Sequence, residues 1–202
     1  MSRRDNRDRR CPDCQLFVES CLCALVPRLH TRTRLTVAIH YREARKPTNT
    51  GQLAARCVVG SQVVVVGDQA RPLALAPPGP HEQPLLLFPH ETAVSIERYA
   101  ASPRPVALYV PDGNWRQASK MRRRLPGFEQ MPCVTLPVAG ASEYHLRSEP
   151  RDGGLATLEA IARALGILEG DGGPAVEAAM LAVFRVMVER TLRLRGVAPP
   201  PT

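Results

Sequence analysis

Two short stretches hold the side chains best able to do chemistry. Asp112-Gly113-Asn114-Trp115-Arg116-Gln117-Ala118 follows the apolar run Val106-Ala-Leu-Tyr-Val110 and Pro111, so a strand empties into a turn that presents a carboxylate, a glycine and the chain's only tryptophan. Open parallel sheets bind ligands in the crevice beyond the carboxyl ends of their strands, which makes this turn the candidate active-site loop. Nearer the start, Cys11-Pro-Asp-Cys14 and Cys21-Leu-Cys23 place four thiols within 13 positions. Four close thiolates are the tetrahedral set that structural zinc takes, and in such a knuckle the binding energy becomes folding energy. An oxidisable, disordered arm is the alternative for this segment. Cys57 and Cys133 stand apart beside valines and read as core.

The elements that must position these groups come from the hydrophobic pattern. Leu35 to Ile39, Val63 to Val66, Leu85 to Phe88 and Val106 to Val110 read as buried strands, and Val134-Thr-Leu136 as a fifth, short one. Thr50 is placed to cap a helix over roughly 52–59, and Trp115 to Leu125 continues as a helix until Pro126. Leu155, Leu158, Ile161, Ala162 and Leu165 fall at helical spacing, with Gly166 placed to stop the turn. A longer helix begins near Pro174 and ends before Gly196, with Val176, Met180, Val183, Phe184, Met187 and Leu194 on one face. Buried strands alternating with helices predict an α/β fold around a mainly parallel sheet flanked by helices. The Pro- and Gly-rich stretch 71–84 reads as a loop, and no internal repeat is present.

The 202 residues suit one ordinary domain with a small appendage. The reading is a basic flexible arm over 1–10, a zinc-knuckle segment over 11–30, an α/β domain over 31–196 and a tail over 197–202. Hydrophobic residues make up 44% and aromatic ones 4%, so the core is aliphatic. The formal charge of +8, with 25 arginines among the 27 basic residues, favours a polyanionic partner, nucleic acid above all. No run reaches the length of a membrane helix, and cysteines and acids follow the basic start where a signal peptide would be apolar. A cytoplasmic protein with no membrane association is expected, in which six cysteines are ligands or buried thiols rather than disulfides.

The order of motifs carries a resemblance. The paired cysteines, His40-x-x-Glu43 followed by Thr48-Asn49-Thr50-Gly51, Leu87-Phe88-Pro89, the run Asp112 to Ala118, Leu146-Arg147-x-Glu149-Pro150 and Leu155-Ala-Thr157-Leu158-Glu159-Ala160 together resemble the DTW-domain family from about residue 8 to residue 195. Asn114 stands where that pattern usually has Thr. The resemblance implies a SPOUT-like fold with a trefoil knot toward the carboxyl end, a feature that periodicity does not reveal. It implies transfer of the 3-amino-3-carboxypropyl group of S-adenosylmethionine to N3 of a tRNA uridine; Zn2+ on Cys11, Cys14, Cys21 and Cys23 is expected from their spacing. The expected catalytic residues are Asp112 and Trp115. The donor is expected against Phe88, Pro89, Asp112, Gly113, Asn114, Leu136, Arg147 and Thr157, and RNA along His40, Glu43, Asn49, Arg116, Arg122 and Arg123.

Within that frame the residues leave alternatives open. Asp112 serves as the base for N3, as a ligand for hydroxyls or the amino group of the donor, or as a turn cap. Arg147 or Arg116 would clamp the donor carboxylate, and Glu43 or Glu149 would meet its ammonium. Trp115 stacks on a base or anchors packing; His40 contacts RNA or closes a strand end; Arg122 to Arg124 meet phosphates or form a solvated helix face. A SPOUT-like RNA methyltransferase and a non-catalytic zinc-knuckle adaptor are the rival functions. The sequence does not decide whether the active unit is a homodimer.

Overall fold

In the computed structural model the described residues are 9–68, 70, 72–137, 142–144, 146 and 154–198. The central strands are apolar runs buried on both faces. The strands are β1 (Arg34–His40), β2 (Gln62–Val66), β3 (Gln83–Leu87), β4 (Val94–Ser95), β5 (Val106–Asp112) and β6 (Cys133–Thr135). They form one sheet in the order β2-β1-β5-β3-β6-β4, and every neighbouring pair runs parallel. β5, at the centre, is buried along its whole length, as expected of a parallel strand covered on both faces.

The helices are α1 (Tyr41–Ala44), α2 (Thr50–Cys57), α3 (Trp115–Arg124), α4 (Thr157–Leu168) and α5 (Gly173–Leu194). Leu35, Val37, Ile39, Leu108 and Val110 pack under α2, α4 and α5 on one face of the sheet. Ala38, Leu86, Ala107 and Tyr109 pack on the other, where α3 contributes Ala118 and Met121 and the following segment Phe128. Leu108, Leu158 and Ile161 have no exposed surface. Truncating any of them to alanine costs about 2–5 kcal/mol, because the lost transfer energy is joined by a cavity. Among the described residues no helix is long and apolar enough to cross a membrane.

Three details depart from the sequence reading. The two-residue β4 and the single turn of α1 are too short to carry a period. Asn49, not Thr50, caps α2, and Thr50 is its first residue. Gly166 does not end α4, which runs to Leu168. A Cβ at Gly166 would lie 2.3 Å from Glu177 Oε2, and one at Gly173 would lie 1.9 Å from the Gly166 carbonyl oxygen. These two glycines let α4 and α5 touch backbone to backbone, so packing explains the residue expected to stop the helix. The cysteine segment also leans on the domain: Leu16 and Leu22 belong to the same core as α2 and α5, and Arg190 Nη1 donates to the Cys21 carbonyl at 2.5 Å.

Candidate active site and metal cluster

Alternation along β5 decides where Asp112 points. Val106, Leu108 and Val110 face the core under α2 and α4, whereas Ala107 and Tyr109 face the opposite one. With period two, Asp112 follows the first set and emerges where α2 and α4 begin. Asn49 Nδ2 donates to Asp112 Oδ2 at 2.6 Å, and Thr157 Oγ1 donates to Oδ1 at 2.5 Å. Asn49 is at the same time the N-cap of α2, its Oδ1 accepting from the Gln52 N–H at 2.7 Å, and Thr157 opens α4. The carboxylate, 6% exposed, therefore sits against the positive ends of two helix dipoles. A Cβ at Gly51 would come within 2.8 Å of Asp112 Oδ2; any side chain there would displace the carboxylate.

The turn after Asp112 is fixed by reciprocal capping. Asn114 Oδ1 accepts from the Gln117 N–H at 3.0 Å, and Gln117 Oε1 accepts from the Asn114 N–H at 2.8 Å, the capping-box arrangement. Asparagine and threonine both serve as N-caps, which explains how Asn114 fills a position where the family pattern has Thr. A Cβ at Gly113 would lie 2.8 Å from Gln117 Oε1, so the box requires glycine. With its oxygen so engaged, Gln117 offers Nε2 as donor to His40 Nδ1 at 3.2 Å, and the Arg42 N–H reaches the same nitrogen at 3.3 Å. Two donors on Nδ1 make it the unprotonated nitrogen. Burial first, and then the Arg42 charge, hold the His40 imidazole below its usual range against the opposing pull of Glu43.

Around these groups the carboxyl ends of β3, β5 and β6 and the N-termini of α2, α3 and α4 enclose a cleft of about 900 Å³, the size of a small-molecule site. Leu87, Phe88, Pro89, Val110, Val134 and Leu136 make its apolar wall; Glu43, Lys46, Asn49, Asp112 and Thr157 make a polar end. Trp115 lines the cleft half-buried, its ring 6.2 Å from that of Phe88.

Of the residues expected against the donor, Phe88, Pro89, Asp112, Gly113, Asn114, Leu136 and Thr157 all line this cleft, and Arg147 lies outside the described residues, as does Glu149. Of those expected along RNA, Glu43, Asn49 and Arg116 line it. His40 stands behind the turn in the capping network. Arg122 and Arg123 lie on the last turn of α3 and are not part of the cleft lining.

Lys46 and Tyr144 also line the cleft and escaped the sequence reading. Tyr144 donates from its hydroxyl to the Thr48 carbonyl at 3.2 Å and stacks on Phe184, with ring centroids 5.8 Å apart. Its segment is tied to α4 by Glu159, which is 1% exposed and accepts from Ser142 Oγ, the Glu143 N–H and the Ala156 N–H at 2.6, 2.7 and 2.8 Å. A lone tyrosine in a loop carries no periodic signal. The acid at the third position of α4 was the only hint available in the sequence.

The four N-terminal thiols converge. The Sγ atoms of Cys11, Cys14, Cys21 and Cys23 lie within 4.8 Å of one another, with Cys11 to Cys23 at 3.5 Å and Cys14 to Cys21 at 3.8 Å. A tetrahedral site with bonds of about 2.3 Å needs sulfurs about 3.8 Å apart, so this set could hold a metal ion. Backbone N–H groups of Cys14 and then Asp13 bring the Cys11 thiol down to about 6, whereas Cys21, against the pull of the Cys23 N–H, is pushed up to about 12 by the Cys11 and Cys23 thiols, so the four share their protons until a metal displaces them. Cys57 lies apart from this cluster, buried in the main core, and burial pushes its thiol up to about 12.

The family model described as the DTW domain matches residues 8–192. The tRNA-uridine aminocarboxypropyltransferase 2 of Drosophila melanogaster is 28% identical over 173 residues, covering 81% of this chain and 68% of the relative. The protein of the same name from Macaca fascicularis is 30% identical over 171 residues, covering 81% of this chain and 57% of its own length. The tRNA-uridine aminocarboxypropyltransferase A of Arabidopsis thaliana is 28% identical over 236 residues, covering 97% of this chain and 86% of the relative. The chain thus spans little more than half of the macaque relative. No solved structure matches.

Proposed function

The chain belongs to the DTW-domain family, and from that premise we propose that it transfers the 3-amino-3-carboxypropyl group of S-adenosylmethionine to N3 of a uridine in tRNA, releasing methylthioadenosine. The observation that carries the reading is Asp112: a buried carboxylate held at the polar end of an otherwise apolar cleft. The sulfonium of the donor makes the adjoining carbon electrophilic, so that the N3–carbon bond forms as the carbon–sulfur bond breaks and sulfur keeps the electron pair. Asp112 takes the N3 proton. Glu43, the other carboxylate among the lining residues, is paired with Lys46 at 2.6 Å; Asp112 accepts from an amide and a hydroxyl that fix its direction. Preorganised dipoles of this kind stabilise charge without reorganisation during the reaction.

The apolar wall suits the adenosine and methylthio portions of the donor, and Trp115 offers a ring face for the uracil. The basic face of α3, with Arg116, Lys120, Arg123 and Arg124 exposed, suits phosphates through counterion release. Zinc is the metal that four thiolates favour, and six unpaired cysteines suit a reducing, cytoplasmic compartment. A SPOUT-like, knotted fold is part of this reading on the strength of the family resemblance, and the parallel sheet flanked by helices agrees with its α/β part. The names of the relatives favour aminocarboxypropyl transfer over methyl transfer and over a non-catalytic adaptor.

Incubating the purified protein with bulk tRNA and S-adenosylmethionine, then measuring nucleoside masses, tests the proposal. A uridine carrying the amino-acid fragment supports it. A methylated base, or no change together with no heat of donor binding, overturns it in favour of one of the rivals.

A further inference from the structure

The polar end of the cleft contains a charge pair that the reaction as described does not use. Lys46 Nζ lies 2.6 Å from Glu43 Oε1, and the glutamate is 9% exposed while the lysine side chain is 43% exposed. Both line the same cleft as Asp112. Lysine is scarce here, with only Lys46 and Lys120 in the chain, and this one is placed by backbone rather than left on a flexible loop. The Glu43 carbonyl accepts from the Lys46 N–H at 2.9 Å, and the Lys46 carbonyl accepts from the Asn49 N–H at 3.0 Å. Gln52 Nε2 pins the same turn through the Ala44 carbonyl at 2.6 Å. Asn49 then holds Asp112, so one short stretch of chain connects the ion pair to the reacting carboxylate.

We infer that Glu43 and Lys46 form the subsite for a free α-amino-acid group, the zwitterionic end of the donor. This rests on the function proposed above and adds to it the means of orientation. A zwitterion carries an ammonium and a carboxylate about one carbon apart, and a fixed Glu–Lys pair presents the opposite charges at matching spacing. The ligand carboxylate docks on the Lys46 ammonium and the ligand ammonium on the Glu43 carboxylate, giving an alternating array in which the buried Glu43 charge keeps its partner. Gripping the amino-acid chain from this end fixes which carbon beside sulfur faces the nucleophile, and orientation of that kind is what separates transfer of the chain from transfer of the methyl group. A pair present only to hold α1 in place would not distinguish ligands with and without the zwitterion.

Calorimetric titration of wild type, Lys46→Met and Glu43→Gln with S-adenosylmethionine and, separately, with methylthioadenosine tests this. Methylthioadenosine has the same adenosine and methylthio parts and lacks the amino-acid chain, so its binding also reports an intact cleft. The expected result is about ten- to a hundredfold weaker binding of S-adenosylmethionine to either variant, the loss of a charge-assisted contact, with methylthioadenosine affinity unchanged within about twofold. Equal weakening of both ligands, or none for S-adenosylmethionine, overturns the subsite while leaving the proposed function standing. Failure of the wild type itself to bind S-adenosylmethionine overturns the function.

Discussion

Thr157 Oγ1 donates to Asp112 Oδ1 at 2.5 Å although 45 positions of sequence separate the two residues. The contact joins the last residue of β5 to the first residue of α4 and, with Asn49 on the other oxygen, fixes the carboxylate from two helices at once. A hydroxyl that orients a carboxylate without cancelling its charge keeps it available to accept a proton.

Replacing Thr157 with valine keeps the shape and removes that donor. Hydrogen bonds to charged groups are worth about 1.5–3 kcal/mol, so kcat is expected to fall about ten- to a hundredfold, with Thr157→Ser retaining most of it. Steady-state kinetics with tRNA and donor check this; an unchanged kcat for the valine variant would show that the contact is structural only.

Asn114 caps α3 through its own side chain. Asn114→Ala is expected to lower stability by about 1 kcal/mol, and Asn114→Thr by no more than about 0.5 kcal/mol, because threonine keeps the capping oxygen. Urea unfolding midpoints decide, and a threonine variant as unstable as the alanine one would contradict the capping account.

His40 links pH to stability. Its folded-state pKa lies below the unfolded value of 6.5, so the unfolded chain binds the proton first. Stability that is full above about pH 7 therefore declines as pH falls through about 6.5, and continues to decline until folded His40 itself protonates. Protonation also ends acceptance by Nδ1 from Gln117 and from the Arg42 N–H. Unfolding free energies from pH 7.5 down to about 5.5 should be flatter in His40→Asn, which keeps a cap and does not titrate; identical slopes would exclude His40 as the source.

Much of this was legible in the sequence, and the reasons differ from element to element. β1 and β5 declared themselves because a strand buried on both faces is a continuous apolar run, and the four cysteines because ligand spacing is local. The turn at Asp112 was visible for the same reason: a strand end next to a glycine and a cap. What tertiary packing alone decides was not visible. Gly166 reads as a stop signal until the backbone of Gly173 is seen against it. Lys46 and Tyr144 reach the cleft only because α1, α2 and the segment after β6 converge there, and no local pattern records that convergence.

The cysteine cluster yields a stability prediction. A metal held by the four thiols would add folding energy, so treatment with a strong chelator should lower the melting temperature by several degrees, at about 2–4 °C for each kcal/mol in a chain of this size, and Cys14→Ser should reproduce the loss. Because Leu16 and Leu22 share the main core, the domain should remain folded at 25 °C. Calorimetric melting together with metal release measures both; a melting temperature indifferent to chelation would remove the metal from the account.

The most direct measurement is the nucleoside mass of tRNA treated with donor and with either the wild type or Asp112→Asn, which preserves shape and removes the base. The account predicts the aminocarboxypropyl-uridine mass with the wild type and at least a hundredfold less of it, on the order of what a general base contributes, with the variant, while both proteins bind tRNA and S-adenosylmethionine with similar affinity. Equal product from the two proteins would contradict the assignment of Asp112 as the group that takes the N3 proton.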